Sequence, residues 1–172
     1  MAKKEKEEKT NVMRLLEQAK AEYKHYCYAN TDAISGVDVA TVLNQDVNRV
    51  FKTLVTVGKS GEHYVFVIPV AKELDLKKAA AAVNEKSIEM VKSKDLLGLT
   101  GYIHGGCSPI GMKKTFKTVI NASAEGFETI IFSAGKIGYQ VEVSLEDLKK
   151  LIDFFLQDVV TEQGENYNFI NI

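Results

Sequence analysis

"RVFKTLVTVGKSGEHYVFVIPV", residues 49 to 70, is the stretch whose reading sets the fold class. Two runs rich in Val, Phe, Leu, Thr and Ile flank a turn that holds Gly58 and Gly61. β-branched and aromatic residues on both sides of a glycine-containing loop predict an antiparallel hairpin. Lys52 interrupts the first run. Such a lysine either faces solvent on an alternating strand or, if enclosed, holds an anion, because an unpaired buried ammonium is costly.

Upstream, Val12, Leu15, Leu16 and Ala19 recur at helical spacing, with Asn11 as the expected N-cap. Residues 23–27 alternate and read as a strand, and a second helix is expected over Val37–Leu43, opened by Ser35 and Gly36. Downstream, Leu74, Leu76, Ala79, Ala80 and Val83 predict a helix. "SIEMVKSKDLLGLTG" (87–101) predicts a short strand and then a helix capped by Ser93. "KTFKTVINASA" and "ETIIFSAGKIGYQVEV" predict two or three more strands, the last pair turned at "SAGKIG". Ser144 with Glu146 and Asp147 opens a last helix that would carry Leu148, Leu151, Ile152 and Phe155 inward. The expected organisation is a lead-in over residues 1–10, one α+β domain of mixed strand pairing over 11–160, and a polar tail over 161–172.

The 172 residues suffice for one domain with a sizeable core. Twenty-two basic against 23 acidic residues give a net charge of −1, which excludes a bulk basic field for indiscriminate nucleic-acid binding and gives no reason to expect a DNA partner. No apolar run approaches the about 20 residues that span a membrane, and the charged start "MAKKEKEEKTN" lacks a signal-peptide core, so a cytoplasmic protein without a membrane partner is expected. Cys27 and Cys107 cannot form a disulfide framework, and neither they nor His25, His63 and His104 have metal-ligand spacing, so no metal is expected. No GxxxxGK[ST] or strand-to-helix GxGxxG occurs, which argues against ATP or NAD; no cofactor is expected.

The densest chemistry lies in "TGYIHGGCSPIGMKK", residues 100–114. His104 and Cys107 could form a base and nucleophile, or be an incidental loop histidine and a small buried thiol. Two glycine-rich turns at strand ends, here and at "SAGKIG", could instead combine with Lys52 into a pocket of backbone N–H groups around one cation, suited to a carboxyl ester or a phosphate.

"VFKTLV", "LDLKKAAAAV", the 100–114 loop and "TVINASAEGFETIIFSAGKIGYQVEV" resemble, in order and spacing, the YbaK/EbsC family of aminoacyl-tRNA deacylases, from about Asn11 to Val160. These are related to the editing domain of prolyl-tRNA synthetase. The resemblance implies a mixed, curved, barrel-like sheet flanked by helices. It implies trans-editing hydrolysis of misacylated tRNA, Cys-tRNA(Pro) foremost, with Ala-tRNA(Pro) or another small-amino-acid ester, or non-catalytic binding of the tRNA 3′ end, as alternatives. Misacylated tRNA is the implied partner, with prolyl- or cysteinyl-tRNA synthetase as a further one. Carried over, the catalytic positions fall on Lys52, Gly105 and Gly106, and the substrate-binding positions on Tyr28, Thr53, Ser108, Pro109, Ser133 and Gly135. Lys113, Lys114 and Lys117 follow the loop and either meet acceptor-stem phosphates or form a solvated basic edge. Cys107, Ala134, Ile137, Gln140 and the Ile34–Gly36 segment depart from the family pattern, at positions that bear on amino-acid specificity and tRNA contact.

Overall fold

In the computed structural model, which describes residues 9–162, Thr10 opens the first helix. Its Oγ1 accepts from the Met13 amide at 3.3 Å and caps α1 (Asn11–Gln18), so the cap lies one residue before Asn11. Val12, Met13 and Leu16 of that helix are buried. Strand β1 (Lys24–Cys27) follows, and then α2 (Gly36–Val42), whose N-cap Ser35 accepts from the Asp38 amide. A 3₁₀ turn at Val47–Arg49 leads into the hairpin of β2 (Phe51–Gly58) and β3 (His63–Pro69), with Phe51 opposite Pro69 and Val57 opposite His63.

Beyond the hairpin come α3 (Leu76–Ala82), capped by Asp75, β4 (Ile88–Met90) and α4 (Ser93–Thr100). Ser93 is the first helical residue of α4 and not its cap; Lys92 takes the cap position and makes no side-chain capping bond. After the 101–116 loop run β5 (Lys117–Asn121), β6 (Ile130–Ser133) and β7 (Tyr139–Val143). Helix α5 (Leu145–Leu148) is capped by Ser144 as expected but is four residues long. Phe155 is therefore not on its inner face. It belongs to β8 (Phe155–Gln157), which pairs in parallel with β5. The reason is hydrogen bonding: β5 is almost wholly buried, its outer backbone groups need partners, and β8 supplies them.

The strands form two sheets and do not close into a barrel among the described residues. Five strands run in the order β4-β2-β3-β5-β8, with β3, β5 and β8 parallel and the rest antiparallel; three run β1-β7-β6, all antiparallel. A parallel bridge between Val50 and Ile131 joins them. The main core, with Leu16, Phe51, Val65, Ile120, Phe132 and Val141, fills the space between the sheets under α1. A second cluster, with Phe66, Ile68 and Val119, lies between the five-stranded sheet and α3. Residues 1–8 of the expected lead-in and 163–172 of the expected tail lie outside the described residues.

Candidate active site

Where the two sheets meet at the Val50–Ile131 bridge, the start of β2 leaves a cavity of about 280 Å³. Lys52 and Thr53 of β2, Ser133 of β6, Gln140 of β7, Tyr28 just past β1 and Gly105 of the long loop all face it. Helix α2 forms its roof. That roof can sit low because a Cβ at Gly36 would lie 2.4 Å from Cγ1 of Val70, so only glycine fits there.

The polar groups of this cavity are largely unspent. Lys52 is half-buried, and burial lowers its ammonium below the ordinary value, with the Glu73 carboxylate partly opposing that shift. Among the described residues no hydrogen-bond or ion-pair partner reaches it. The Thr53 Oγ1 is buried without a partner. Ser133 Oγ accepts from the Gly135 amide at 3.0 Å, which leaves its own O–H to donate. The Gly105 N–H has no acceptor among the described residues, and its φ of +90° puts it in a region costly for other residues. Thr53 Oγ1 is the buried one of these groups, and leaving it unsatisfied costs about 1–3 kcal/mol; Lys52 is half-buried and Gly105 exposed, so both stand open at the cavity to a ligand.

Four other expected site residues do not line the cavity. The Gly106 N–H donates to the Ile103 carbonyl at 2.9 Å, so it is committed to the loop's own turn and is not a free donor. Ser108 is fully buried, its Oγ accepting from the Ile110 amide at 3.3 Å. Gly135 gives its amide to Ser133 and packs behind the cavity against Tyr102 and Val12. Pro109 lies on a separate groove, together with Lys114 and Lys117; Lys113 lines neither depression.

Cys107 does line the cavity, but its thiol is buried, and burial pushes it up to about 12 despite a hydrogen bond with Thr100. A thiol kept neutral by burial is a poor nucleophile. His104 is exposed.

One arrangement had no signal in the sequence. Gln45, beyond α2, donates from Nε2 to Oε1 of Gln140 at 2.8 Å. Two residues along β7, Glu142 takes hydrogen bonds from Tyr26 and Thr129 and pairs with Arg49 at 3.6 Å. These bonds form a polar seam that holds the α2 segment on the three-stranded sheet.

Comparison with known proteins agrees with this geometry. The family model for the aminoacyl-tRNA editing domain matches residues 31–151. EbsC of Enterococcus faecalis, named as a candidate Cys-tRNA(Pro)/Cys-tRNA(Cys) deacylase, is 47% identical over 164 residues, which is 95% of this chain and all of EbsC. The proline–tRNA ligase of Fervidobacterium nodosum is 26% identical over 130 residues, 74% of this chain but 22% of the ligase. A crystal structure described as a candidate trans-editing enzyme for prolyl-tRNA synthetase shares the fold, with a TM-score of 0.75 at 22% identity over 87% of this chain and 94% of that one. The chain belongs to the aminoacyl-tRNA editing domain family, in its YbaK/EbsC branch. Among the described residues no helix is long and apolar enough to cross a membrane.

Proposed function

We propose that this protein is a trans-editing esterase that hydrolyses misacylated tRNA in the cytoplasm, with Cys-tRNA(Pro) as its preferred substrate. The observation that carries the reading is the set of unspent polar groups, Lys52, Thr53 Oγ1 and Gly105 N–H, around one small cavity in a chain of the editing family. The preference for cysteine rests on the 47% identity to EbsC. At about 280 Å³ the cavity is at the small end for ligand sites, which suits a short aminoacyl group with the terminal ribose at its mouth.

An aminoacyl ester is already activated, so its hydrolysis needs positioning and charge stabilisation more than a strong base. Gly105 N–H donates to the carbonyl oxygen as it becomes an oxyanion; one such donor is worth about 2.7–4 kcal/mol. Lys52 acts as a protonated cation that holds the substrate's negative end and is not a proton-transfer base. Thr53 and Ser133 hydrogen-bond the substrate, and Tyr28 walls the pocket. Cys107 takes no covalent part. The resemblance to the family implies that the substrate's own thiol or ribose hydroxyl assists the attack. Prolyl-tRNA synthetase, which shares a related segment, is the first partner to examine, with cysteinyl-tRNA synthetase second.

The test is release of labelled amino acid from Cys-tRNA(Pro) and Ala-tRNA(Pro) by the wild type and Lys52→Ala. Rapid release of cysteine that falls about a hundredfold in the variant is the expected result, on the scale of losing one electrostatic contact. Release of alanine alone would reassign the substrate. Tight tRNA binding without release would make the protein a 3′-end binder.

A further inference from the structure

We propose that the second depression, a groove of about 1010 Å³, seats the phosphodiester backbone of the unpaired 3′ strand of tRNA. This rests on the proposed function and goes beyond it by locating where the nucleic acid lies outside the aminoacyl cavity.

Lys114, Lys117, Lys149 and Lys150 line the groove against a single acid, Asp153. In a chain of net charge −1 this is a local concentration of positive charge, assembled from segments more than thirty residues apart. Lys150 is partly committed: its Nζ pairs with Asp147 at 2.9 Å and donates to the Lys20 carbonyl at 3.4 Å. Lys117 Nζ lies 5.7 Å from the centre of the Phe155 ring. Lys114 and Lys149 are exposed and have no partner among the described residues. Between these cations the half-buried Phe116 and Phe154 contribute aromatic surface. A cationic groove with aromatic surface is the arrangement that takes a single-stranded backbone, phosphates on the lysines and bases on the rings. An acidic protein segment would match the charge as well; the chain's membership of a tRNA-editing family is what favours nucleic acid as the occupant.

The groove is also connected to the cavity. The 100–114 loop walls both: Gly105 and Cys107 face the cavity, and Pro109, Gly111 and Lys114 face the groove. Lys52 sits opposite Ile68 on β3 and Lys117 opposite Tyr64, four residues further along that strand. With strand spacings of about 4.8 Å and a rise of about 3.3 Å per residue, their Cα atoms are roughly 16 Å apart. That separation runs through the buried central strand, so the surface connection between the two depressions is the shared 100–114 loop.

The experiment measures binding of uncharged tRNA(Pro) transcript over a range of salt, for the wild type, the double variant Lys114→Ala/Lys149→Ala, and a control, Lys77→Ala/Lys86→Ala, whose lysines are exposed but line neither depression. Uncharged tRNA makes the result independent of whether the cavity hydrolyses an ester, which the Lys52 assay decides separately. The groove variant should bind about tenfold more weakly, with a salt slope smaller by about 1.5, as expected for two lost phosphate contacts, and the control should match the wild type. Three results would overturn the proposal. The groove variant could match the wild type in affinity and slope; the control could lose as much; or poly-glutamate could bind the wild type as tightly as tRNA does and be lost in the same variant, assigning the groove to an acidic protein segment.

Discussion

Gln45 Nε2 lies 2.8 Å from Oε1 of Gln140, a hydrogen bond between residues 95 apart in the chain. It ties the segment after the roof helix to a strand of the cavity wall. It also uses the oxygen of Gln140, so the amide that Gln140 can offer a substrate is a donor. The Gln45 Oε1 is itself buried without a partner.

That pairing predicts an unusual split in Gln45→Met. The variant loses one hydrogen bond but also removes an unsatisfied buried oxygen, so its stability should change by less than about 1 kcal/mol. Gln140 is then free to turn. KM for the aminoacyl ester should rise several-fold with kcat little altered, because binding is lost and chemistry is not. Steady-state kinetics beside a thermal melt check this; an equal fall in kcat would refute it.

Lys52 should trade stability for activity. Burial lowers its ammonium from the ordinary 10.5. Between that lowered value and 10.5 the unfolded chain holds the proton and the folded one does not, so the desolvation penalty is full at neutral pH and is relieved as pH rises through this window. Lys52→Met should therefore melt higher than wild type at pH 7 while kcat/KM falls about a hundredfold. In the wild type, activity should decline as pH rises at a point below that of an ordinary lysine, and this limb should be missing from the variant's pH profile.

Cys107→Ala tests the thiol directly. With the sulfhydryl pushed up to about 12 by burial, it is neutral at pH 7. The variant should keep kcat/KM within about twofold and lose about 1 kcal/mol of stability through the small void it leaves. A thousandfold loss of turnover in a folded variant would instead make Cys107 a nucleophile.

Glu142 is the acid-sensitive point of the seam. Burial would raise its carboxyl, but hydrogen bonds from Thr129 and Tyr26 and the charges of Lys24 and Arg49 outweigh that and lower it. A lowered carboxylate contributes stability above its unfolded value, near pH 4.5, and that contribution is lost as pH falls through the folded value. Glu142→Gln should cost about 1–3 kcal/mol at pH 7 and progressively less as pH falls below 4.5, read as melting temperatures over a series of pH values.

Much of this protein is local and was legible in its residues. Periodicity located α1 to α4 and the β2–β3 hairpin, and Ser35 and Ser144 cap the helices expected of them, because a cap or a hairpin is decided by neighbours in the chain. The misplacements were equally physical. Residues 149–155 carry on a helical apolar pattern, yet the chain leaves α5 at Leu148 because the open edge of β5 needs a strand, and an edge is a property of the assembled sheet. The glycine loop was recognisable as a site, but the sequence could not say that the Gly105 amide is open while that of Gly106 is spent on Ile103. Residue types determined that a lysine, glycine loops and a strand-end serine are present. Only the tertiary structure decided that Lys52, Thr53, Gly105 and Ser133 share one cavity, that Pro109 and Lys114 face another, and that Gln45 reaches Gln140. Those outcomes depend on how two sheets dock through Val50 and Ile131, a contact between segments that no local pattern in the chain can specify.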